Sequence, residues 1–521
     1  MRAARSEVAV ASEVVVHEET EVNGPGAGAT VPTGRSSARH GRGAAVLAGV
    51  GWLCLGSLPL LLGTTAGRGQ WGFGGTVLFG ALSVLFGLWV FWRDGGARVT
   101  TVGAYNLGFA LFVGFAALYQ ALASGIEAPE FPLFRPVALG YFVQVSTWLA
   151  FWAGRSTRAT AGTLVTTTPE VARWAVRCGA LLLALAVLLQ LSLPERFQHL
   201  LISSAGFVGV IMLGVGLLPT TRRRPSLMYG LVPVAGLVIY YLTLFDSFGR
   251  LVLGALALAL AVIVANRGNG RPVKAVMLAV APPTLAFLAK IRASPTPPPA
   301  GTPRTEWDSD GLFSVVGPFH DFAQLLSLSD LGLLPKAWGE SFYAAAVILV
   351  PRSIWEDKPR GLGAVLVPYL SPQLAGTEHS DAALFFGEWL YNFGLAGLVL
   401  MIPVTGLALR AADRVVLAAS KPLIGTRRGV MAYVAAIVLL VGALDLIWVG
   451  TATFAARAGC RLLILAALFV IHALFSRAPT AAPPQSPPLP SRPVPYSRPG
   501  TTSMASLAGG GAPEPVRRRC R

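Results

Sequence analysis

The chain has 521 residues, of which 54% are hydrophobic and 13% charged, and its mean hydropathy is +0.60. This number of charged side chains is too small to cover the surface of a water-soluble protein. A soluble globular enzyme is therefore excluded. The net charge of +17 would suggest nucleic-acid binding in a soluble protein. Here the basic residues cluster in short loops between apolar segments, which is the positive-inside pattern, and no nucleic-acid partner is expected.

The sequence predicts an all-α, polytopic integral membrane bundle. About twelve apolar segments are long enough to cross ~30 Å of hydrocarbon, and lipid leaves an open chain no alternative to helices. These segments lie near 44–63, 73–92, 99–122, 136–153, 175–193, 200–218, 227–245, 250–266, 273–291, 383–408, 430–450 and 459–475. We therefore interpret 44–475 as a transmembrane domain. The polar segment 1–43 and the Pro-rich segment 476–521 are predicted to be disordered tails.

The charge pattern predicts the topology. With the N-terminus in the cytoplasm, all the basic loops fall on the cytoplasmic side. They are RDGGAR, RSTRAT with the following ARWAVR, TTRRRPS, RGNGRPVK, and RAADR through GTRRG. We therefore expect a protein of the cytoplasmic (inner) membrane with both termini cytoplasmic. The one long connection, 292–381, is then external, and its stretch SFYAAAVILVP is too short to span and is interpreted as an interfacial helix.

A cationic cluster follows that interfacial stretch in VPRSIWEDKPR, where Arg352, Lys358 and Arg360 surround Trp355. Arginine offers paired donors to a phosphate and lysine a point charge, so the cluster suits the pyrophosphate of a lipid at headgroup depth. The same residues also suit a plain interfacial anchor that binds anionic lipid, with Trp355 at the membrane surface.

Two further charged positions leave alternatives open. Arg250, in DSFGR, is either a second phosphate ligand or the partner of Asp246 in an ion pair at a helix end. Asp445 lies inside a predicted span and either faces a polar cavity or pairs with Arg457 or Arg461.

Candidate proton-transfer residues lie in the external loop and the span that follows it. Glu388 and Asn392 are four residues apart and share one helical face, and a carboxylate at that depth is costly unless it faces a polar cavity. The alternative is that Glu388 has a structural role and forms hydrogen bonds to neighbouring helices. His320 and His379 each lie close in sequence to an acid that can orient the ring; for His320 this acid is Asp321. Each histidine is either a general base or a solvated loop residue.

The sequence does not predict a metal or cofactor. The four cysteines are scattered without a CxxC spacing, and no Walker A loop, GxGxxG fingerprint or HExxH motif occurs. Asp308 and Asp310 in WDSDG have the spacing of a metal-binding DxD motif of nucleotide-sugar enzymes. Nucleotide sugars are cytoplasmic whereas this loop is predicted to be external, so a metal site there has little support.

Three motifs in order resemble a known family. FHDF, WGESFYAAAVILVPRSIWEDKP and GEWLYNFGLAG, within 320–397, resemble the external-loop and following-helix signatures of Wzy-type O-antigen polymerases, also called oligosaccharide repeat-unit polymerases. The stretch DSFGR is similar to the arginine motif that such polymerases carry at the outer end of a span. The rest of the chain is similar only in being a many-span bundle with one large external loop.

The resemblance implies a membrane glycosyltransferase of the class C type. It would join undecaprenyl-pyrophosphate-linked oligosaccharide repeats into a surface polysaccharide, an O-antigen or an exopolysaccharide, on the outer face of the membrane, without metal or cofactor. Its partners would be membrane lipids, a flippase and a chain-length regulator. The four arginine and lysine residues named above as phosphate ligands would hold the pyrophosphate, and Glu388, His320 or His379 would accept the proton of the attacking hydroxyl.

Three other functions remain open at this point. An O-antigen ligase would use the same donor with another acceptor. A polysaccharide transporter or flippase would be expected to show repeated halves and charged residues near mid-membrane, and no such repeat is evident. A non-enzymatic scaffold would explain the tails but not the position of Glu388.

Overall fold

The structure is a computed structural model that describes residues 70–124, 132–153, 164–192, 200–218, 227–245, 250–267, 270–292, 312–352, 354–376 and 379–475. The predicted first span, 44–63, lies outside these residues, as do both predicted tails. Asp246, Asp308 and Asp310 lie outside them as well.

The described residues are mostly helical, as predicted. The helices are α1 (Gln70–Arg93), α2 (Thr101–Phe109), a π-helical turn (Ala110–Phe115) leading into α3 (Ala116–Ser124), α4 (Phe134–Ala153), α5 (Pro169–Ser192), α6 (Leu200–Val215), α7 (Leu227–Thr243), α8 (Arg250–Arg267), α9 (Gly270–Arg292), α10 (Phe313–Asp330), α11 (Glu340–Ala346), α12 (Leu362–Leu370), a 3₁₀ turn (Pro372–Leu374), α13 (Leu384–Phe393), α14 (Leu395–Ala419), α15 (Arg427–Val449) and α16 (Thr451–Phe475). Two short strands, β1 (Thr166–Thr167) and β2 (Leu423–Ile424), pair in parallel. The described residues up to Phe469 form one compact unit, and Val470–Phe475 belong to a second.

Six of the described helical segments are long and apolar enough to cross a membrane. They are Gly72–Arg93, Thr101–Ala123, Pro169–Ser192, Leu395–Ala419, Arg427–Val449 and Thr451–Phe475, and the apolar helices Leu200–Val215, Leu231–Thr243 and Leu251–Arg267 are shorter. The chain is therefore an all-α membrane protein.

The spans differ in how deeply they are buried in the bundle. Thr101–Ala123 is 83% buried and central, whereas Pro169–Ser192 is 22% buried and presents leucines on its outer surface. Helices α5 and α6 approach most closely at two glycines: a Cβ on Gly179 would lie 2.6 Å from the carbonyl oxygen of Gly209. Small residues at such a crossing let apolar helices pack backbone against backbone.

The predicted tenth span, 383–408, is not one helix. Gly394, with φ of 66°, separates α13 from α14, and a Cβ on Gly397 would lie 2.2 Å from the carbonyl oxygen of Trp389. The chain therefore bends sharply, and the end of α13 packs on the start of α14. The ten-residue α13 is too short to span, so the apolar span is Leu395–Ala419 alone. Each of the other predicted spans within the described residues overlaps a helix.

Hydrogen bonds and one strand pair join described residues in or beside the basic loops at one end of the bundle. The contacts are Val165 N to Asn266 O (2.8 Å), Thr166 paired with Leu423, Thr167 N to Leu218 O (2.7 Å) and Lys274 Nζ to Asp94 O (2.9 Å). We refer to this end as the basic end.

The predicted external loop folds into helices at the opposite end, which we call the loop end. Helix α10 packs against α3, α4, α12 and α13, and Asp330 at its end forms an ion pair with Arg135 near the start of α4. The stretch SFYAAAVILVP forms the short helix α11 followed by turns. Its Leu349 contacts Gly459, so the stretch is held against α16.

Candidate functional site

Two groups of polar residues lie at the loop end. The first, the acid–histidine group, consists of Asp321, Ser371, His379 and Asp381. The second, the Glu388 network, consists of Gly339, Ser341, Glu388, Asn392 and Thr451. Both groups join residues from different helices and loops, so the fold rather than the local sequence brings them together.

Asp381 holds the ring of His379. The Nε2 atom of His379 lies 3.0 Å from Oδ1 of Asp381, and the hydroxyl of Ser371 donates to the same oxygen at 3.2 Å. The side chain of Asp381 is 8% exposed and that of His379 is 37% exposed. In the tautomer that carries its proton on Nε2, the acid fixes the ring and Nδ1 is the basic atom. The sequence prediction that an acid orients His379 is confirmed.

Asp321, in α10, lies near the same acid. Burial, helped by the negative charge of Asp381 and opposed by a hydrogen bond from the N–H of Ala382, raises the pKa of Asp321 to about 8. Near neutral pH, Asp321 therefore carries a proton. Asp381 thus interacts with both a protonated carboxyl and an imidazole, a proton donor and a proton acceptor of the kinds that acid–base chemistry uses.

The sequence pairs Asp321 with His320. In the structure, the charge of Asp321 interacts with that of Asp381. His320 precedes Asp321 in α10 and is half-buried. Neighbouring residues of a helix point about 100° apart, and the orientation of His320 by Asp321 stays a prediction.

Glu388 is fully buried, and its carboxylate accepts three hydrogen bonds. Its Oε2 accepts the backbone N–H of Thr451 at 2.7 Å, and its Oε1 accepts the hydroxyls of Thr451 at 2.6 Å and Ser341 at 2.9 Å. Burial raises the pKa of Glu388, and these donors oppose that rise. A Cβ on Gly450 would lie 2.6 Å from Oε2, so Gly450, with φ of 98°, lets the chain pass the carboxylate.

Asn392 completes this network. Its amide nitrogen donates to Ser341 Oγ and to the backbone oxygen of Glu388, both at 2.7 Å, and its side-chain oxygen accepts the N–H of Gly339 at 2.9 Å. The prediction that Glu388 and Asn392 share a helical face is confirmed. The network ties α11, α13 and the start of α16 together, which is the structural alternative that the sequence left open for Glu388.

The cationic loop separates into buried and exposed members. Lys358 is 8% exposed, and its ammonium donates to the carbonyl oxygens of Ile348 and Val350, both at 2.9 Å. Burial lowers the pKa of Lys358, and the charge of Arg352 lowers it further. Lys358 therefore closes the loop 348–358 by binding its carbonyl groups.

Arg352 and Arg360 are exposed, and Arg352 donates to the backbone oxygen of Glu356 at 3.1 Å. Trp355 is half-buried, with its ring centroid 6.2 Å from that of Tyr343. The two arginines are thus the members of the cluster that can meet a ligand, whereas Trp355 packs on the short helix α11.

The cationic loop leads directly to the acid–histidine group. The backbone N–H of Asp381 donates to the carbonyl oxygen of Gly363 at 3.1 Å, and a Cβ on Gly363 would lie 2.1 Å from the hydroxyl of Ser380. Gly363 is the third residue after Arg360, so the two are at most about 11 Å apart along the chain. The exposed Arg360 therefore lies close along the chain to the residue that contacts Asp381.

The other predicted positions lie elsewhere. Arg250 is the first residue of α8. Asp445 pairs with both of its predicted partners: Oδ1 accepts a hydrogen bond from Arg457 at 2.5 Å, and Oδ2 lies 3.7 Å from Arg461 Nη1.

Sequence reasoning missed Ser341, Ser371 and Thr451. Hydroxyl residues are common in loops and helix starts, and no local signal marks the ones that meet a carboxylate. In the described part of the chain, no group of three or more His, Cys, Asp and Glu residues is arranged to hold a metal ion.

Comparison of the chain with protein-family models, with curated proteins and with solved structures finds no match. The geometry of the loop end and the order of the three sequence motifs are therefore the grounds for a functional proposal.

Proposed function

We propose that the chain polymerises undecaprenyl-pyrophosphate-linked oligosaccharide repeats into a surface polysaccharide. The observation that carries the proposal is the acid–histidine group, in which Asp381 contacts His379 and interacts with the charge of Asp321. The exposed Arg352 and Arg360 lie in the chain segment that leads to it. A base, a protonated acid and two guanidinium groups form the set that glycosyl transfer from a lipid pyrophosphate requires.

In the proposed reaction, a hydroxyl of the incoming lipid-linked repeat attacks the reducing-end carbon of the growing chain. A new glycosidic C–O bond forms, the C–O bond to the pyrophosphate breaks, and its electron pair leaves with the pyrophosphate. The hydroxyl proton passes to His379. Asp381 stabilises the resulting imidazolium, as an acid does when it orients a histidine base.

The leaving pyrophosphate gains negative charge as the bond breaks. Arg352 and Arg360 offer paired N–H donors to it, and such charge-assisted contacts strengthen in the transition state. The protonated Asp321 donates a hydrogen bond to an oxygen of the bound repeat. Lys358 supports the reaction indirectly by holding the loop that carries Arg352.

We assign the role of general base to His379 rather than to Glu388 or His320 because of the surroundings of each side chain. Glu388 is fully buried, and three donors already occupy its carboxylate. His320 is the second candidate, since it lies half-buried one residue before Asp321.

The proposal includes a topology with about twelve spans in the cytoplasmic membrane, with 292–381 outside and both termini in the cytoplasm. On this topology the lipid-linked repeat is delivered by a flippase, and a chain-length regulator sets how many repeats are joined. The substrate donor carries its own leaving group, so the proposed reaction uses no nucleotide.

Deleting the chain from its host and analysing the extracted lipid-linked glycans tests the proposal. We expect single repeats to accumulate on the outer leaflet, and expression of the full chain to restore polymer. Polymer of normal length left on its carrier would instead indicate a ligase. Single repeats trapped on the cytoplasmic leaflet would indicate a flippase, and an unchanged glycan profile would reject all three functions.

A further inference from the structure

Part of the loop end forms a hairpin that runs along α16. It begins beside Thr451, the first residue of that helix, because the hydroxyls of Ser341 and Thr451 both donate to the same carboxylate oxygen in the Glu388 network, at 2.9 Å and 2.6 Å. It ends beside the next residue of the helix, since a Cβ on Gly361 would lie 3.0 Å from the Cβ of Ala452. Both ends of this hairpin, which we define as 341–361, therefore lie at the start of α16.

The tip of the hairpin lies further along the same helix. A Cβ on Gly459 would lie 3.1 Å from a side-chain carbon of Leu349. Every residue from 451 to 459 is buried or half-buried, whereas Leu463, one helical turn beyond Gly459, is 50% exposed. The hairpin is therefore part of the cover over the first turns of α16, and the turns after Gly459 emerge from that cover.

The length of α16 places the tip within the hydrocarbon of a membrane. The helix has 25 residues. At ~1.5 Å per residue it is about 37 Å long, whereas the hydrocarbon core is ~30 Å thick, so at most about 7 Å of a fully crossing helix projects at the loop end. Gly459 lies about 12 Å from the start of the helix. The contact with Leu349 is therefore at least about 5 Å inside the hydrocarbon.

The side chains at the tip suit contact with lipid. The stretch SFYAAAVILV, residues 341–350, has no charged residue, and its members Tyr343, Ala346 and Leu349 are exposed. Gly459 and Leu463 are four residues apart and share one face of α16. The exposed Leu463 thus follows directly below the residue that Leu349 contacts, so one apolar surface continues from the hairpin onto the span.

The backbone at the tip is satisfied without water. The ammonium of Lys358 donates to the carbonyl oxygens of Ile348 and Val350, both at 2.9 Å. The N–H groups of the same two residues donate to the carbonyl oxygens of Ala345 at 3.3 Å and Val347 at 3.0 Å. Non-helical backbone at membrane depth requires such internal partners, because hydrocarbon offers none.

We infer that the hairpin 341–361 is a re-entrant loop whose tip lies among the acyl chains of the leaflet at the loop end. Tyr343, Ala346 and Leu349 contact the chains, and Lys358 supplies the donors that water supplies to a loop outside the membrane. The sequence places this stretch at the membrane surface, whereas the contact with Gly459 places it deeper. The inference does not rest on the proposed polymerisation, because the depth of the tip requires no substrate.

Spin labels on the full chain in phosphatidylcholine nanodiscs test the depth of the tip. With the four native cysteines replaced by serine, one nitroxide is attached in Ala346→Cys at the tip, in Leu463→Cys on α16 or in Glu340→Cys at the start of α11. Collisions of the label with oxygen and with a polar nickel chelate are measured. Hydrocarbon excludes polar solutes, so the oxygen-to-nickel ratio at 346 should match that at 463 and exceed that at 340 about tenfold.

Two results would overturn the inference. A ratio at 346 equal to that at 340 would place the tip in water. A ratio midway between those at 340 and 463 would place the tip at the membrane surface, as the sequence predicts. Leu349→Cys provides a second tip position if Ala346→Cys does not fold.

Substitutions of Lys358 test how the backbone of the tip is satisfied. In the chain labelled at 346, Lys358→Met should lower the oxygen-to-nickel ratio severalfold, because carbonyl groups without a donor return to water. Lys358→Arg keeps the donors and should stay closer to the native ratio. The matched control Lys336→Met removes an exposed lysine from the loop end and should leave the ratio unchanged. A native ratio in Lys358→Met would overturn the role of Lys358, whatever the outcome for polymer synthesis.

Discussion

Glu388 accepts both hydrogen-bond donors of Thr451, the backbone N–H at 2.7 Å and the hydroxyl at 2.6 Å. Thr451 is the first residue of α16, and the first N–H groups of a helix have no acceptor within it. Gly450, which precedes it, has no side chain to supply one. A carboxylate from another helix therefore caps α16 and fixes its start beneath the loop end, and negative charge at a helix N-terminus is favourable.

We predict that Glu388→Gln lowers stability more than it lowers catalysis. The amide keeps one acceptor oxygen but turns its NH₂ group toward the Thr451 donors, and a buried unsatisfied donor costs about 1–3 kcal/mol. The purified variant should unfold at a lower temperature, while cells grown at a permissive temperature still make polymer.

The exposed Glu340→Gln in α11 is the matched control and should leave the unfolding temperature unchanged. A Glu388→Gln protein with native unfolding temperature and no polymer would return the role of general base to Glu388.

Substitutions of Arg352 and Lys358 should have different effects, because Arg352 is exposed whereas Lys358 is buried and binds the carbonyl groups of its own loop. Arg352→Ala is predicted to slow polymer formation roughly a hundredfold, which corresponds to about 3 kcal/mol in the activation barrier. The level and the stability of the protein should stay normal. Lys358→Met is predicted to destabilise the loop. Limited proteolysis and glycan length measured on both variants check this contrast, and normal polymer in Arg352→Ala would leave only the lipid-anchor interpretation.

The sequence predicts an all-α membrane protein, because the length and apolar composition of a span are local properties. It does not predict the break at Gly394, since apolar composition continues across the bend from α13 into α14. It also does not pair Asp321 with Asp381, which are far apart in the chain and meet only when α10 packs beside the segment that precedes α13. Lys358 and Arg352 look alike in sequence, and burial alone distinguishes them.

We predict that His379→Ala removes most polymer synthesis at normal protein level, by about 100-fold or more, because a positioned base contributes that much to proton transfer. Asp381→Asn should cause a smaller loss, since the histidine remains but its preferred tautomer changes. Lys421→Ala at the basic end is the control for a remote surface change. Rates are measured from the formation of polymer on lipid-linked repeats in membranes. Full activity in His379→Ala would shift the base role to His320.

Asp321 should make stability depend on pH. Its pKa is raised to about 8 in the folded protein and is about 4 in an unfolded chain, so between these values the folded state keeps a proton that the unfolded state has lost. The contribution of Asp321 to the free energy of unfolding is therefore fully present below about pH 4. It falls by at most about 1.4 kcal/mol per pH unit as the pH rises, and it levels off above about pH 8.

Thermal unfolding of the native chain and of Asp321→Asn, measured across that range, checks the sign. The variant keeps a neutral side chain, so the native chain should lose stability relative to it as the pH rises. A constant difference between the two proteins would show that Asp321 does not hold its proton.

The last prediction concerns which side of the membrane carries the loop end. Asp357 and Lys421 are both exposed, one in the cationic loop and the other at the basic end. With the four native cysteines replaced by serine, a cysteine at 357 should react with an impermeant maleimide in right-side-out vesicles, and one at 421 only after the vesicles are opened. The reason is that loops rich in Lys and Arg stay in the cytoplasm during insertion. Labelling in the reverse order would place His379 and the exposed arginines in the cytoplasm, where an outer-leaflet repeat cannot reach them, and the proposed polymerase would fail with the topology.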